Sequence, residues 1–281
     1  LIFIVKIKNI MKVCILGNGL TSLSLAKSLV NMGVNVEIIS NLNFEKIDKS
    51  RTLSISKKNA VFFNSKVTNI DKLSWKISNI EIFSENLKNE KILNFENNQK
   101  ELFLIIKNYQ LINQLKKELD KKILKIKEKE LFENYNLVIN TNPNNLISKK
   151  YFYKKINKDY NSVAYTAIID HKRFKSNNTA IQIFTKNGPF AFLPISDKQT
   201  SLVYSVRNSE EIDFENSIKK YNSRYSISKI NEISKFELKS SNLRSYYYKN
   251  ILGFGDILHK LHPLAGQGFN MTIRDIKLLT K

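Results

Sequence analysis

Apolar residues follow three rhythms along the chain. Short unbroken runs at Lys12–Leu16 and Tyr135–Asn140 predict strands buried on both faces. Leu20, Leu23, Ala26 and Val30 recur at helical spacing, with Leu25, Leu29 and Met32 beside them, and Gly33 ends that helix as its C-terminal cap. Val34–Ile39 is a second strand, so the chain opens with a strand–helix–strand unit of the dinucleotide-binding kind. The segment RTLSISKKNAVFF, from Arg51, predicts a loop entering a helix. From Trp75, WKISNIEIFSENLKNEKILNF alternates apolar and polar residues about an Asn-Leu-Lys-Asn turn, as a hairpin does. Ile112–Leu124 returns to helix. Residues 163–206 carry the strand patterns VAYTAIID, TAIQIFT and TSLVYSV, with NGPFAFLP (Asn187–Pro194) between the last two. Lys219–Leu238 reads as helix in its first half and as linker thereafter. Ile251–Phe254 ends another strand, Asp256 follows on a turn, and a helix begins at about Phe269. The chain thus interleaves a parallel α/β domain with an antiparallel, β-rich one.

At 281 residues the chain can bury a full core. Its hydrophobic fraction of 42% excludes a disordered protein. The one cysteine, Cys14, excludes an internal disulfide, fits a reducing cytoplasm, and lies in an apolar run where it packs. The net charge of +21 comes from 40 Lys and six Arg. A surface selected for nucleic acid would use more Arg, whose planar fork reads phosphate and base edges in two-point contacts, so nucleic-acid binding is not expected. Lysine suffices for attraction to an anionic membrane surface. No apolar run approaches the ~20 residues of a membrane span. Residues 1–10 are too short for a signal peptide and lack a small-residue cleavage site; with Met11 beyond them, they read as a start-site artefact or a short extra strand.

The chain has eight glycines, and seven fall in two places. Gly17, Gly19 and Gly33 belong to the first unit, and Gly253, Gly255, Gly266 and Gly268 to the stretch Gly253–Asn270. Glycine this sparse marks backbone that turns sharply or approaches a ligand closely. In Gly17-Asn18-Gly19-Leu20-Thr21-Ser22 the first glycine makes the tight turn and the second admits a pyrophosphate. Ser22 takes the third position, which needs a small residue. A glycine loop feeding a helix also points N–H groups at a negative group. An acidic residue normally ends the second strand to hold the adenosine ribose. Here that position is Ser40, and Glu37 lies inside the strand with its side chain directed elsewhere. Arg51 is the only Arg in the first 170 residues. That isolation points to geometry that Lys could not supply, with a surface salt bridge as the equal alternative.

These residues resemble a known family. The C-terminal stretch reads Gly255-Asp256-Ile257-Leu258-His259, His262-Pro263, Ala265-Gly266-Gln267-Gly268, Asn270 and Arg274-Asp275. It resembles the GDAAH, HP, AGQG, N and D pattern of the FAD-dependent hydroxylases of ubiquinone biosynthesis, relatives of p-hydroxybenzoate hydroxylase. Arg51 and Asn187–Pro194 support the likeness, which runs from about Met11 to the last residue. Members usually continue for several more helices, so the resemblance implies a chain shortened at its C-terminus. It also implies a fold class: α/β, with a Rossmann-like FAD-binding domain (11–70, 104–149 and 245–281) and an inserted antiparallel β-rich substrate domain (71–103 and 150–244). Residues 1–10 are then an extra N-terminal segment.

The chemistry implied is monooxygenation. NAD(P)H reduces FAD, O₂ gives a C4a-hydroperoxyflavin, and a hydroxyl passes to the aromatic ring of a polyprenylated phenol. Asp256 would hold the ribityl chain. Pro263, Gly266, Gln267, Gly268 and Asn270 would line the flavin, with N–H groups facing its pyrimidine edge. With Gly17, Gly19, Ser22, Ser40, Arg51 and Gly255 they form the expected cofactor site; no catalytic residue is assigned. A metal site at Asp256, His259 and His262 is set aside, because the surrounding Gly and Pro fit a flavin loop.

Two departures stand out besides Ser40. The family usually has an Arg where this chain reads Asn108-Tyr109-Gln110-Leu111, and a central Asp-Gly where TNPNN follows Asn140. The leading expectation is therefore a hydroxylase, cytoplasmic and peripheral at the inner membrane. The alternative is a degenerate, non-catalytic homologue serving as a structural subunit of a quinone-biosynthesis complex. A flavin reductase of prenyl double bonds is a third reading.

Overall fold

Lys12–Leu16 forms β1 in the computed structural model, and four of its five residues are buried. The reason is a layer on each side. Val13 and Ile15 enter one apolar cluster, and Cys14 and Leu16 enter another. The structure describes residues 11–39, 48–87, 90–96, 100–124, 134–207, 211–260 and 267–281. Helix α1 (Leu20–Asn31) follows β1, and β2 (Asn35–Ile39) returns parallel to it. Gly33, at φ +81°, donates to the Val30 carbonyl at 2.9 Å, and Val34 donates to Leu29 at 3.1 Å. This is the paired hydrogen-bond closure of a glycine-capped helix.

Next come β3 (Thr52–Ser56), α2 (Lys57–Lys66), β4 (Ser74–Ile77), β5 (Asn79–Ser84), β6 (Glu90–Glu96) and β7 (Phe103–Lys107). They are followed by α3 (Asn108–Leu119), β8 (Ile123–Leu124), β9 (Leu137–Asn140) and α4 (Leu146–Tyr151). The long antiparallel stretch is β10 (Lys155–His171), β11 (Thr179–Thr185), β12 (Gly188–Pro194), β13 (Gln199–Arg207), α5 (Phe214–Tyr221), β14 (Ile227–Ile230) and β15 (Ser234–Leu243). The chain ends with β16 (Tyr247–Tyr248), β17 (Ile251–Gly253), β18 (His259–Lys260) and α6 (Gln267–Leu279).

Three sheets result. The first has six strands in the order β16-β17-β9-β1-β2-β8, with β17, β9, β1, β2 and β8 parallel. The second runs β18-β15-β10-β13-β12-β11-β5-β6, with β14 beside β10. The third is β3-β7-β4. On one face of the second sheet α5 packs Phe214, Ile218 and Tyr221 against Tyr165, Phe190 and Tyr204. Its other face meets the third sheet, where Ala180 joins Ile77 and Ile105. Hydroxyl contacts tie this junction, Thr52 to Ser201 at 2.9 Å and Ser50 to Thr166 at 3.1 Å.

Several local expectations are corrected. The segment after Arg51 is strand β3 before it is helix, because β7 supplies a partner for its backbone. Trp75–Ile77 belongs to the third sheet, and only the residues from Asn79 form the hairpin. The helix expected over Ile112–Leu124 starts at Asn108 and ends at Leu119, and Ile123–Leu124 pairs with β2. The helix expected within Lys219–Leu238 is instead Phe214–Tyr221, capped by Asp213, whose carboxylate accepts from Asn216 N–H. The stretch read as a linker is strands β14 and β15. Helix α6 starts at Gln267 rather than Phe269.

Candidate functional site

The parallel strands β1, β9 and β17 end side by side, and the candidate site is built on their C-terminal ends. The chain leaves β1 at Gly17, β9 at Thr141 and β17 at Phe254, whose N–H donates to the Asn140 carbonyl at 2.9 Å. In an open parallel sheet the crevice for a ligand lies where neighbouring strands lead off in different directions. Gly17 takes φ +120°, and its N–H bonds the Ile39 carbonyl at 2.9 Å. A Cβ there would come within 2.5 Å of Thr141 Oγ1. Gly255 takes φ +66°, and a Cβ on it would come within 2.5 Å of Thr21 Cγ2. The Gly255–Asp256 turn therefore lies directly against the first turn of α1. The two glycine segments, more than two hundred residues apart in sequence, share one site.

Helix α1 begins after Gly19, which offers no side-chain cap, and its first turn holds no acid. Its leading N–H groups are thus left for an anion from outside. Beyond its chain neighbours, a Cβ on Gly19 would meet no atom of the described residues within 4 Å, and the same is true of Gly268 in the first turn of α6, its own helix aside. Asp256 is exposed at its turn. These features fit a dinucleotide pyrophosphate and a flat ring system.

Among the described members of the expected site, Asn270 is the best connected. Its Oδ1 accepts from Ser56 N–H at 3.0 Å and from Asn59 Nδ2 at 2.8 Å, and its Nδ2 donates to the Ser54 carbonyl at 2.8 Å. These bonds fasten α6 to β3 and α2, so the side chain acts within the protein. Arg51 opens β3, exposed, with its guanidinium 5.4 Å over the Phe236 ring. Ser40, Pro263 and Gly266 lie outside the described residues, and of Gln267 only the backbone is described.

Ser22 occupies the third glycine position and is buried. Its hydroxyl is 2.6 Å from Thr141 Oγ1, which itself bonds the Leu16 carbonyl at 2.9 Å. Thr141 was not foreseen, because the register between β1 and β9 is not written in either strand alone. The TNPNN segment also acquires a structural account. Asn140 Nδ2 donates to Asn145 Oδ1 at 3.1 Å and to Ser148 Oγ at 2.9 Å, while Asn140 Oδ1 accepts from Asn142 N–H at 3.1 Å. Asn145 then caps α4 by accepting from Ser148 N–H at 2.9 Å. A buried amide knot stands where the family places Asp-Gly.

Glu37 is turned away from the crevice. It accepts from the Tyr135 hydroxyl and pairs with Lys12 at 3.0 Å. Burial raises its pKa, but those two donors outweigh it and hold the carboxyl below its ordinary value. At the head of α3, Lys107 takes a polar role, its Nζ bonding Gln199 Oε1 at 2.6 Å. Burial pushes its ammonium pKa down, against an opposing pull from Asp170. A cavity of about 420 Å³ lies elsewhere, on the face of the second sheet that α5 covers, lined by Phe83, Ile181, Phe192, Tyr221 and Arg224. It is on the far side of that sheet from the third sheet and takes no part in the glycine crevice.

Sheet order and the position of the crevice define an FAD-dependent monooxygenase fold of the p-hydroxybenzoate hydroxylase type. *Klebsiella pneumoniae* HpxO, solved with FAD and uric acid, superposes with a TM-score of 0.74 at 11% identity, over 97% of this chain and 79% of that one. *Pseudomonas aeruginosa* PqsL, solved with 2-aminobenzoylacetate, gives 0.76 at 14% identity, over 96% and 85%. By sequence the chain is similar to hydroxylases of ubiquinone biosynthesis. It is 26% identical over 182 residues to the zebrafish (*Danio rerio*) ubiquinone biosynthesis monooxygenase COQ6, covering 50% of this chain and 38% of that protein. It is 33% identical over 107 residues to the *Escherichia coli* 3-demethoxyubiquinol 3-hydroxylase, covering 35% and 27%. The matches span only about a third of these relatives' length. No family model matches the chain.

Proposed function

We propose that this chain is a flavin-dependent monooxygenase that hydroxylates the aromatic ring of a polyprenylated phenol in ubiquinone biosynthesis, with FAD as cofactor and NAD(P)H and O₂ as co-substrates. The observation that carries this reading is the meeting of the Gly17–Gly19 loop and the Gly255–Asp256 turn at the uncapped start of α1. There the N–H groups at the head of α1 would hold the pyrophosphate, and Gly19 and Gly268 leave room for backbone to approach the cofactor. Asp256 would anchor the ribityl hydroxyls, as the family likeness implies. The flavin, when bound, supplies the oxygen chemistry, and the protein binds, orients and shields. Asn270 holds α6, and with it Gly268, in place against β3.

A polyprenylated ring dissolves in membrane, and this reading therefore has the protein working as a peripheral cytoplasmic protein at the inner membrane, in company with other quinone-biosynthesis proteins. No helix among the described residues is long and apolar enough to cross a membrane.

Two observations favour the second reading, a non-catalytic homologue acting as a structural subunit. The Ser22 and Thr141 hydroxyls are bonded to each other, and the amide knot of Asn140, Asn145 and Ser148 replaces Asp-Gly. The deciding experiment titrates the purified protein with FAD, then follows NAD(P)H oxidation and ring hydroxylation of a prenylated phenol. Saturable FAD binding with coupled product supports the hydroxylase. FAD binding without hydroxylated product favours the reductase reading, and no FAD binding overturns the cofactor assignment and favours the structural subunit.

A further inference from the structure

Helix α4 is amphipathic, with an outward face that none of the described residues covers. Ile147 and Ser148 are buried, while Leu146, Lys149 and Lys150 share the outward face, with Leu146 68% exposed. Tyr153 and Ile156 continue the exposed surface into the start of β10, and every residue from Arg244 to Lys249 is exposed, Tyr247 to 71%. These pieces form one surface. The Tyr151 and Tyr248 rings stack at 4.1 Å, Arg244 N–H bonds the Lys154 carbonyl at 3.0 Å, and Lys155 lies opposite Leu243. Lysines ride over the rings, Lys150 at 5.2 Å from Tyr151, Lys154 at 5.9 Å from Tyr153 and Lys249 at 5.7 Å from Tyr248. The two segments, 146–156 and 244–250, hold six cations and no acid.

This mixture narrows the occupant. Protein–protein interfaces are depleted in Lys at their centres. Nucleic acid would use the cations but has no use for exposed Leu146 and Ile156, and would favour Arg. A bilayer surface uses every component. Tyr rings sit at headgroup level with the hydroxyl in water, aliphatic tips enter the acyl boundary, and Lys stems lie along apolar surface with the ammonium at the phosphates.

We propose that the surface formed by α4, the first residues of β10 and the Arg244–Lys249 segment docks this protein on an anionic phospholipid bilayer. The surface gives a location to the membrane contact named above and rests on that reading only for its setting, because lipid binding is measured without flavin or substrate. The same edge leads into the candidate site. Strand β16 pairs with β17, which runs into the Gly255–Asp256 turn, and Asn242 and Ser241 pair with His259 and Lys260.

The test is flotation of the full chain with vesicles of phosphatidylcholine alone and of phosphatidylcholine with phosphatidylglycerol. Binding to the second and not the first, weakened by added salt, is expected. A triple variant, Lys149→Glu, Lys150→Glu and Lys249→Glu, should lose at least about tenfold in partition. The matched control, Lys172→Glu, Lys175→Glu and Lys198→Glu, makes the same charge change beyond the opposite end of β10, and should retain binding. A double variant, Ile156→Ser and Tyr247→Ser, should bind less without any change in charge. No partition to anionic vesicles overturns the proposal, as does equal loss in the control, which would leave net charge as the cause. Binding of a homopolymeric RNA through the same lysines, with vesicles ignored, overturns it in favour of nucleic acid.

Discussion

His259 Nε2 lies 2.9 Å from Asp275 Oδ2, which joins β18 to α6 across the segment 261–266. Both side chains are largely buried, and the contact is close but too poorly aligned to count as a full hydrogen bond. Asp275 raises the His259 pKa above its ordinary value, against the opposing effect of burial. The histidine and aspartate of the C-terminal motif are therefore partners.

That pairing predicts a pH dependence. A histidine whose folded pKa is raised stabilises the fold fully below its ordinary value of 6.5, and the contribution fades as pH rises through the raised folded value. Melting temperature should fall over that window in the native protein. Asp275→Asn should flatten the His259 contribution and lower stability most at the acid end. Thermal scans of both proteins across the window test this; an unchanged slope in the variant would remove the pair as its cause.

Asn270→Ala should destabilise the protein by about 2–3 kcal/mol, since the side-chain hydrogen bonds to Ser56 N–H, Asn59 and the Ser54 carbonyl all go. Urea unfolding measures it. A loss below about 0.5 kcal/mol, the size expected of an ordinary surface change, would mean that α6 is fixed by its apolar face alone, through Ile273 and Ile276.

Much of this arrangement was legible before any coordinates. The first strand, its helix and the glycine cap could be read because burial on both faces and helical periodicity leave direct marks on residue type. The C-terminal motif could be read because its residues are rare elsewhere in the chain. What could not be read depends on register between distant segments. The contact of Gly17 with Thr141, the approach of Gly255 to Thr21, and the pairing of β3 with β7 each need a strand neighbour that no local pattern names. The α5 start leaves a weaker mark for another reason: the Asp213 cap precedes only three apolar positions, Phe214, Ile218 and Tyr221, within a short helix.

Gly17→Ala should be costly twice over. The φ of +120° strains any residue with a Cβ, by about 1–3 kcal/mol. The new methyl would also meet Thr141 Oγ1 at 2.5 Å. Adding Thr141→Ala should relieve the second cost and leave the first, so the double variant should recover part of the lost stability. A double-mutant cycle by chemical denaturation reads the coupling. Strict additivity would show that the Gly17 loop moves away from Thr141 when the methyl is added.

Gly268 supplies the sharpest test of the cofactor site. From sequence, a glycine there is expected to serve a left-handed backbone or a close ligand. The structure removes the first reason: Gly268 lies in the first turn of α6 and is absent from the glycines with positive φ. Beyond its own helix and chain neighbours, a Cβ there would meet no atom of the described residues within 4 Å. Nothing among the described residues therefore demands glycine, and valine should be tolerated, since glycine in a helix is the less favourable of the two. Gly268→Val should accordingly leave the melting temperature unchanged or slightly raised without cofactor. If the open space is filled by FAD, the branched side chain should still cost at least about tenfold in affinity, because a bulky group set against a bound ring displaces it. Flavin fluorescence titration gives the affinity and a thermal scan without FAD gives the stability. Loss of affinity with stability intact is the result expected of a cofactor cradle. Affinity unchanged would mean that the space before Gly268 holds only solvent, and the flavin-lining role of this glycine would fall.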